Sequence, residues 1–86
     1  MYQVILYSEF KKQLIKLSRK NKILKGQAYK AIDLLSVNIT HPSLKLHKLS
    51  GENIWSISVN KSIRIILSIV DNKIYLLEIG THDEVY

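Results

Sequence analysis

The spacing of apolar residues changes near the middle of this chain, and the change limits the folds that are open to it. In the first half, Phe10, Leu14 and Leu17 follow one another at i, i+4 and i+7, the spacing of one face of an amphipathic helix. In the second half, apolar and polar residues alternate from position 55 to position 60, as in a half-buried strand. The chain therefore combines helices and strands, which predicts an α+β fold.

A short strand and two helices are expected in the first half. The β-forming residues at positions 2–7 predict a strand, and Ser8 can cap the helix that follows. After a break at Asn21, a second helical stripe runs from position 24 to position 39. It ends before Pro42, because the residue preceding a proline avoids the helical region. Two consecutive amphipathic helices with a short joint predict an antiparallel helical hairpin.

Three strands are expected in the second half. After the strand around Trp55, positions 63–70 and 74–79 are nearly continuous β-branched and apolar runs. The pairs at positions 60–61 and 71–72 are suited to tight hairpin turns. The predicted order is β-α-α-β-β-β, an antiparallel sheet with the two-helix hairpin packed on one face. With 86 residues, the chain is expected to form a single domain spanning residues 1–86.

The composition excludes some kinds of site and leaves others open. No cysteine is present, which excludes disulfide bonds and thiolate metal sites. No apolar run is long enough for a transmembrane helix or a signal peptide, so we expect a cytoplasmic protein without a membrane partner. Lys and Arg number 13 against 7 Asp and Glu, and most of the basic residues fall between Lys11 and Lys30. That basic segment is open to two interpretations, a solvated helix face or a phosphate-binding surface.

A lone arginine in a strand is the first candidate for chemistry. Arg64 lies inside the apolar run at positions 63–70. A guanidinium among apolar neighbours is costly unless it is paired or directed at an anion. The alternative to an anion-binding role is an ion pair with Glu78 or Glu52.

Two histidines are the other candidates. His47 belongs to a turn segment that enters the sheet, and His82 follows Gly80 at the end of the last strand. Taken alone, His47 is equally compatible with an ordinary loop, and the segment that carries His82 is more typical of an ordinary polar terminus than of a catalytic one. In a meander, however, both are expected to meet Arg64 at one end of the sheet. Two imidazoles and a fixed cation suit RNA cleavage by the substrate's own 2′-hydroxyl, with no metal or other cofactor.

The chain resembles the RelE/ParE superfamily of type II toxin–antitoxin toxins, and within it the RelE-like ribonucleases. The resemblance spans nearly the whole chain and rests on LHKLSG at 46–51, the strand around Trp55, SIRIILSI at 62–69 and IGTHDEVY at 79–86. It implies the fold predicted above and an mRNA-cleaving toxin that acts in the ribosomal A site. It also implies a cognate antitoxin that inhibits the toxin, and contact with operator DNA only through the toxin–antitoxin complex.

The resemblance also implies roles for individual residues. Arg64 matches the strand arginine that contacts phosphate in this family, and His82 matches a histidine that serves as general acid or base. His47 matches a loop histidine that is functional in some members. Tyr86 stands near the position of an aromatic residue that stacks on the substrate base.

The strand around Trp55 departs from the family pattern. Many active relatives have Lys or Arg on its outward face, where this chain has Ser56 and Ser58. Losing one preorganised donor costs on the order of 3 kcal/mol of transition-state stabilisation. The remaining cations that are candidates for RNA binding are Lys45, Lys48 and Lys61.

The sequence is also compatible with two alternatives to a ribonuclease. One is a non-enzymatic inhibitor similar to the gyrase-poisoning ParE branch, and the other is a weakly active or inactive toxin homologue. In all three cases, we expect the face formed by Phe10, Leu14 and Leu17, together with the basic helices, to bind an amphipathic and acidic antitoxin segment.

Overall fold

The computed structural model describes residues 1–49 and 53–82, which form two helices and a five-stranded sheet. The elements are β1 Gln3–Leu6, α1 Ser8–Ser18, α2 Lys22–Val37, β2 His47–Lys48, β3 Ile54–Ser58, β4 Ile63–Val70 and β5 Lys73–Thr81. One turn of 3₁₀ helix, Pro42–Leu44, connects α2 to β2. The predicted α+β fold is confirmed, with β2 as an additional strand.

The sheet has the strand order β1-β5-β4-β3-β2. Strands β3, β4 and β5 form the predicted antiparallel meander. Strand β1 instead pairs parallel to β5, with Val4 opposite Ile74 and Leu6 opposite Leu76. The sheet is therefore antiparallel except at this edge. The helical hairpin follows β1 and leads the chain to β2 at the opposite edge of the sheet. Strands β1 and β5 are thus joined by a long connection, which a parallel pairing requires.

Strand β2 arises from the segment that the sequence placed in a turn. His47 pairs with Ser56 and Lys48 pairs with Trp55, so two residues of the LHKLSG segment extend the sheet beyond β3. A two-residue strand has no periodicity to recognise, and its backbone pairing depends on the position of β3. Positions 50 and 51 of the segment lie outside the described residues.

The helices begin and end for identifiable reasons. Asn21 caps α2, because its Oδ1 accepts a hydrogen bond from the backbone N–H of Leu24 at 3.0 Å, a contact worth about 1 kcal/mol. The expected cap at Ser8 is wrong: Ser8 is the first helical residue of α1, and Tyr7 precedes it without a side-chain cap. Helix α2 ends at Val37, ahead of Pro42, as the sequence predicts.

The hydrophobic core lies between the helices and one face of the sheet. The residues buried there come from both layers: Phe10, Leu14, Leu24, Ala28, Ala31, Leu35, Leu44, Ile57, Ile63, Ile65, Leu67, Ile74, Leu76 and Ile79. The other face of the sheet, which we call the open face, carries the alternate residues of β3 and β4, including Ser56 and Arg64. No helix in the described residues is long and apolar enough to cross a membrane.

A β-bulge in β5 changes which residues at the end of that strand lie on each face of the sheet. Ile66 pairs with Glu78, but Leu67 pairs with Leu76, so Leu77 is an extra residue. Leu76 and Ile79 are three positions apart and both are buried, which regular alternation does not allow. After the bulge, Gly80 pairs with Arg64 and shares the open face with it.

Candidate active site

Four residues from separate segments line one open cavity on the open face. Lys45, His47, Arg64 and His82 surround a depression of about 350 Å³. Lys45 follows the 3₁₀ turn, His47 is in β2, Arg64 is in β4 and His82 directly follows β5. The structure therefore brings together the three residues that the sequence singled out for catalysis, and adds Lys45.

The strand register explains why these residues meet. His47 lies opposite Ser56, Ser58 lies opposite Arg64, and Arg64 lies opposite Gly80. Residues paired in an antiparallel ladder present their side chains on the same face. The row of His47 and Ser56 is next to the row that contains Ser58, Arg64 and Gly80 on the same face, and His82 follows two residues after Gly80. One histidine therefore comes from the β2 side of Arg64 and the other from the β5 side.

The Arg64 guanidinium is held by described hydrogen bonds from one edge. Its Nε donates to Ser56 Oγ at 3.3 Å, and its Nη2 donates to the same oxygen at 3.1 Å. Nη2 also donates to the Lys45 backbone carbonyl at 3.2 Å. Of the two alternative ion-pair partners, Glu78 lines a different cavity beside α1, and Glu52 lies outside the described residues.

Lys45 has an unusual backbone conformation. Its φ of 47° and ψ of 52° are left-handed, which costs a residue with a side chain roughly 1–2 kcal/mol. The turn ends the 3₁₀ helix and leads into β2, and the carbonyl of this same residue accepts the Arg64 hydrogen bond. Backbone strain of this kind is concentrated at functional sites.

Ser56 is the component of the site that sequence reasoning missed. The sequence predicts Ser56 on the outward face of its strand, where relatives have a cation. It does lie on the open face, but its exposed fraction is 0%. Its hydroxyl oxygen accepts a hydrogen bond from Arg64. Ser58 differs, because its hydroxyl donates to the Asn60 carbonyl at 2.8 Å. The signal available in the sequence was a small hydroxyl residue on the strand beside a lone arginine.

Solved structures with the same architecture include three bacterial toxins. A metal-bound toxin from Helicobacter pylori is 23% identical, with all of both chains covered and a TM-score of 0.82. The DinJ–YafQ toxin–antitoxin complex from E. coli is 21% identical, covering 99% of this chain and 97% of that chain at a TM-score of 0.77. The YoeB–YefM complex from Staphylococcus aureus is 15% identical, covering 95% and 98% at a TM-score of 0.76.

The chain has a RelE-like toxin fold. The resemblance to the RelE/ParE superfamily is thereby confirmed at the level of the fold. No protein-family model and no curated protein sequence matches the chain. At these low identities, the likeness extends to the RelE-like fold and not to the roles of individual residues.

Two of the predicted RNA-binding lysines lie away from the cavity in this RelE-like fold. Lys48 pairs with Trp55, and its Nζ lies 5.5 Å from the centroid of that ring, a cation–π contact. Lys61 is in the turn between β3 and β4 and lines a different cavity, next to Asn21 and Gln27. Lys45 alone among the three lines the cavity with Arg64. Tyr86 lies outside the described residues.

The apolar residues predicted to bind an antitoxin are mostly used by the domain itself. Phe10 is 0% exposed and Leu14 is 6% exposed, so both belong to the core of the RelE-like fold. A partner cannot cover side chains that are already buried. Leu17 is half-buried and remains partly accessible.

A groove between α1 and α2 was not anticipated from the sequence. Ile15 is 60% exposed and Tyr29 is 49% exposed there. The groove is lined by Leu14, Ile15, Ser18, Arg19, Lys22, Lys25 and Tyr29. An exposed apolar floor with a basic rim is typical of an interaction surface.

Metal-ligating side chains are not clustered in the described part of the RelE-like fold. Among residues 1–49 and 53–82, no group of three or more His, Cys, Asp or Glu side chains is placed to hold a metal ion. The cavity itself combines imidazole, guanidinium and ammonium groups. That combination can exchange protons and bind an anion.

Proposed function

We propose that this protein is the toxin of a type II toxin–antitoxin system and cleaves mRNA in the ribosomal A site. The observation that supports this most strongly is the convergence of His47, Arg64 and His82 in one open cavity. The fold shared with YafQ and YoeB agrees with it. Two exposed imidazoles on either side of a fixed guanidinium are the groups that phosphodiester cleavage by an internal hydroxyl requires.

The proposed reaction needs two proton transfers and one bond exchange at phosphorus. One histidine takes the proton of the 2′-hydroxyl while its oxygen attacks the adjacent phosphorus. The bond from phosphorus to the 5′ oxygen breaks, and the other histidine donates a proton to that leaving oxygen. The products are a 2′,3′-cyclic phosphate and a 5′-hydroxyl. Imidazole suits both transfers because it titrates near neutral pH.

Arg64 and Lys45 supply the positive charge. Negative charge accumulates on the non-bridging phosphate oxygens during the attack, and a preorganised cation stabilises it. Arg64 is fixed by Ser56 and by the Lys45 carbonyl, so little reorganisation is needed during the reaction. Lys45 takes the role of the cations that relatives have at the positions of Ser56 and Ser58.

The shape of the cavity supports the proposed dependence on the ribosome. His47 and His82 are exposed, and the depression they line is open to solvent. Such a surface cannot by itself hold the 2′-oxygen in line with the leaving oxygen, and this alignment supplies a large part of the rate. In this proposal, the ribosome holds the mRNA and supplies the alignment.

Inducible expression in a bacterial host tests this proposal. Wild-type protein should arrest growth and produce new in-frame cleavage sites in an abundant mRNA, mapped by primer extension. His82→Ala should abolish both effects. His41→Ala is the matched control, because His41 lies outside the cavity, where its Nδ1 accepts from the Ser43 N–H at 3.1 Å. Arrest without mRNA cleavage would contradict the ribonuclease and favour a ParE-like inhibitor.

We further propose an acidic antitoxin as the protein partner. The groove between α1 and α2 has an apolar floor at Ile15 and Tyr29 and a basic rim, and none of the described residues that line it is acidic. An amphipathic helix with acidic flanks complements both features. RNA would match the rim and can stack a base on Tyr29, but it would leave Ile15 without an apolar partner.

A further inference from the structure

Ser56 is a small polar residue with a buried side chain. Among the described residues, it is the one polar or charged side chain that is buried, with an exposed fraction of 0%. It lies on the open face of the sheet, on the side of β3 that the helices do not cover. Its hydroxyl oxygen is bonded to the Arg64 guanidinium through two different nitrogens.

We propose that Ser56 is a positioning residue that fixes the orientation of the Arg64 guanidinium for phosphate binding. The Lys45 carbonyl is the second acceptor that fixes this guanidinium. This inference rests on the proposed function, since it assigns both hydrogen-bond acceptors to the phosphate-binding step of RNA cleavage. Ser56 acts through Arg64 and does not itself contact the substrate.

The geometry defines what the two anchors accomplish. Ser56 Oγ accepts from Nε at 3.3 Å and from Nη2 at 3.1 Å, so it contacts one edge of the planar group. The Lys45 carbonyl accepts from Nη2 at 3.2 Å and approaches from a different segment of the chain. Anchors on β3 and on the turn before β2 together restrict rotation of the guanidinium plane. A planar group held in this way can present a defined set of donors to a phosphate, which a lysine cannot do.

Burial makes the Ser56 anchor difficult to replace. At an exposed site, water would take over as acceptor when the hydroxyl is removed, and the loss would be small. Because Ser56 is fully buried, Ser56→Ala removes that acceptor of Nε at a position that solvent does not reach. Alanine is nearly the same size and carries no polar atom, so the core behind β3 should remain packed.

Ser58→Ala is the matched control for this test. Ser58 is on the same strand and the same face, two residues away, and directly opposite Arg64 in the ladder. Its hydroxyl donates to the Asn60 carbonyl and has no described bond to the guanidinium. Removing it also deletes one hydroxyl from β3 but leaves both Arg64 anchors in place.

The first measurement follows cleavage of mRNA on programmed ribosomes by the full-length protein. Ser56→Ala should lower kcat about tenfold, the loss expected for one hydrogen bond to a charged group. KM should stay within twofold, because the ribosome supplies most of the binding. Ser58→Ala should change neither constant by more than about twofold. Equal effects of the two variants, or an effect of Ser56→Ala on KM alone, would overturn the proposal.

A double-mutant comparison separates positioning from general stability. If Ser56 acts only through Arg64, adding Ser56→Ala to Arg64→Ala should reduce residual cleavage no further. An additional tenfold loss in the double variant would show that Ser56 acts on something else.

The second measurement does not depend on activity. In the ¹⁵N NMR spectrum of the free protein, hydrogen exchange of the Arg64 Nε–H should be at least tenfold faster in Ser56→Ala than in wild type. It should be unchanged in Ser58→Ala. If wild-type protein cleaves no mRNA, the proposed function fails while this measurement still decides the anchoring. If Nε–H exchange is the same in all three proteins, the anchoring itself is wrong.

Discussion

At the residue scale, the properties of Arg64 depend on groups that are far from it in the sequence. Its described hydrogen-bond partners, Ser56 and Lys45, lie on a neighbouring strand and on a distant turn. The sequence indicated that Arg64 needs an anion or a partner, because a guanidinium in an apolar strand is costly. It did not indicate a serine and a backbone carbonyl, since the first depends on the register between β3 and β4 and the second on where the turn before β2 lies.

Arg64→Lys tests whether the shape of this cation is important as well as its charge. Lysine retains the positive charge, but its single nitrogen cannot hold both anchors and also face a phosphate. We expect the single-turnover rate of mRNA cleavage on programmed ribosomes to fall about a hundredfold. Lys61→Ala is a control for loss of a cation elsewhere, because Lys61 lines a different cavity, and it should retain the wild-type rate within about twofold. A rate within threefold of wild type for Arg64→Lys would show that charge alone suffices.

At the element scale, the helices and the meander were predictable from the sequence, because each follows from local periodicity. Helix α2 and strands β3 to β5 lie where the apolar spacing placed them. Three features were not predictable: the parallel pairing of β1, the short strand β2 and the bulge at Leu77. Each depends on which strand lies alongside, and this information is absent from any single segment.

The groove on the helical hairpin gives a prediction at the same scale. An acidic helical segment that binds there should lose its apolar contacts when Ile15 and Tyr29 are both replaced by glutamate, and it should also be repelled by the new charges. A genomic library screened for rescue of growth arrest would identify the antitoxin. We expect its Kd for the Ile15→Glu, Tyr29→Glu variant to rise at least a hundredfold, measured by calorimetry.

Ile23→Glu is the control for this experiment. Ile23 is 75% exposed on the same helix as Tyr29 and does not line the groove. It also adds a negative charge to the basic helices, so its effect on Kd should be less than about threefold. If both variants weaken binding equally, the partner recognises net charge and the groove has no specific role.

At the scale of the whole molecule, the two proposed surfaces lie on opposite sides of the sheet. The groove is formed by residues of the helical layer, whereas the cavity is on the open face. A partner bound only to the helices would therefore leave His47, Arg64 and His82 accessible. The domain is about 24 Å thick in its shortest dimension, a distance that an extended segment of roughly seven residues spans. An antitoxin that blocks the cavity directly needs a linker of at least this length beyond its helix.

In the proposed mechanism, the cavity cleaves RNA by using the substrate's own 2′-hydroxyl. The most direct test uses purified protein and ribosomes carrying an mRNA whose cleavage site has been mapped. Unmodified mRNA should be cut, leaving a 2′,3′-cyclic phosphate. The same mRNA with one 2′-deoxy nucleotide immediately 5′ to the scissile phosphate should remain intact at that site. Cleavage of the modified mRNA at the same position, or no cleavage of the unmodified mRNA, would contradict the proposed mechanism.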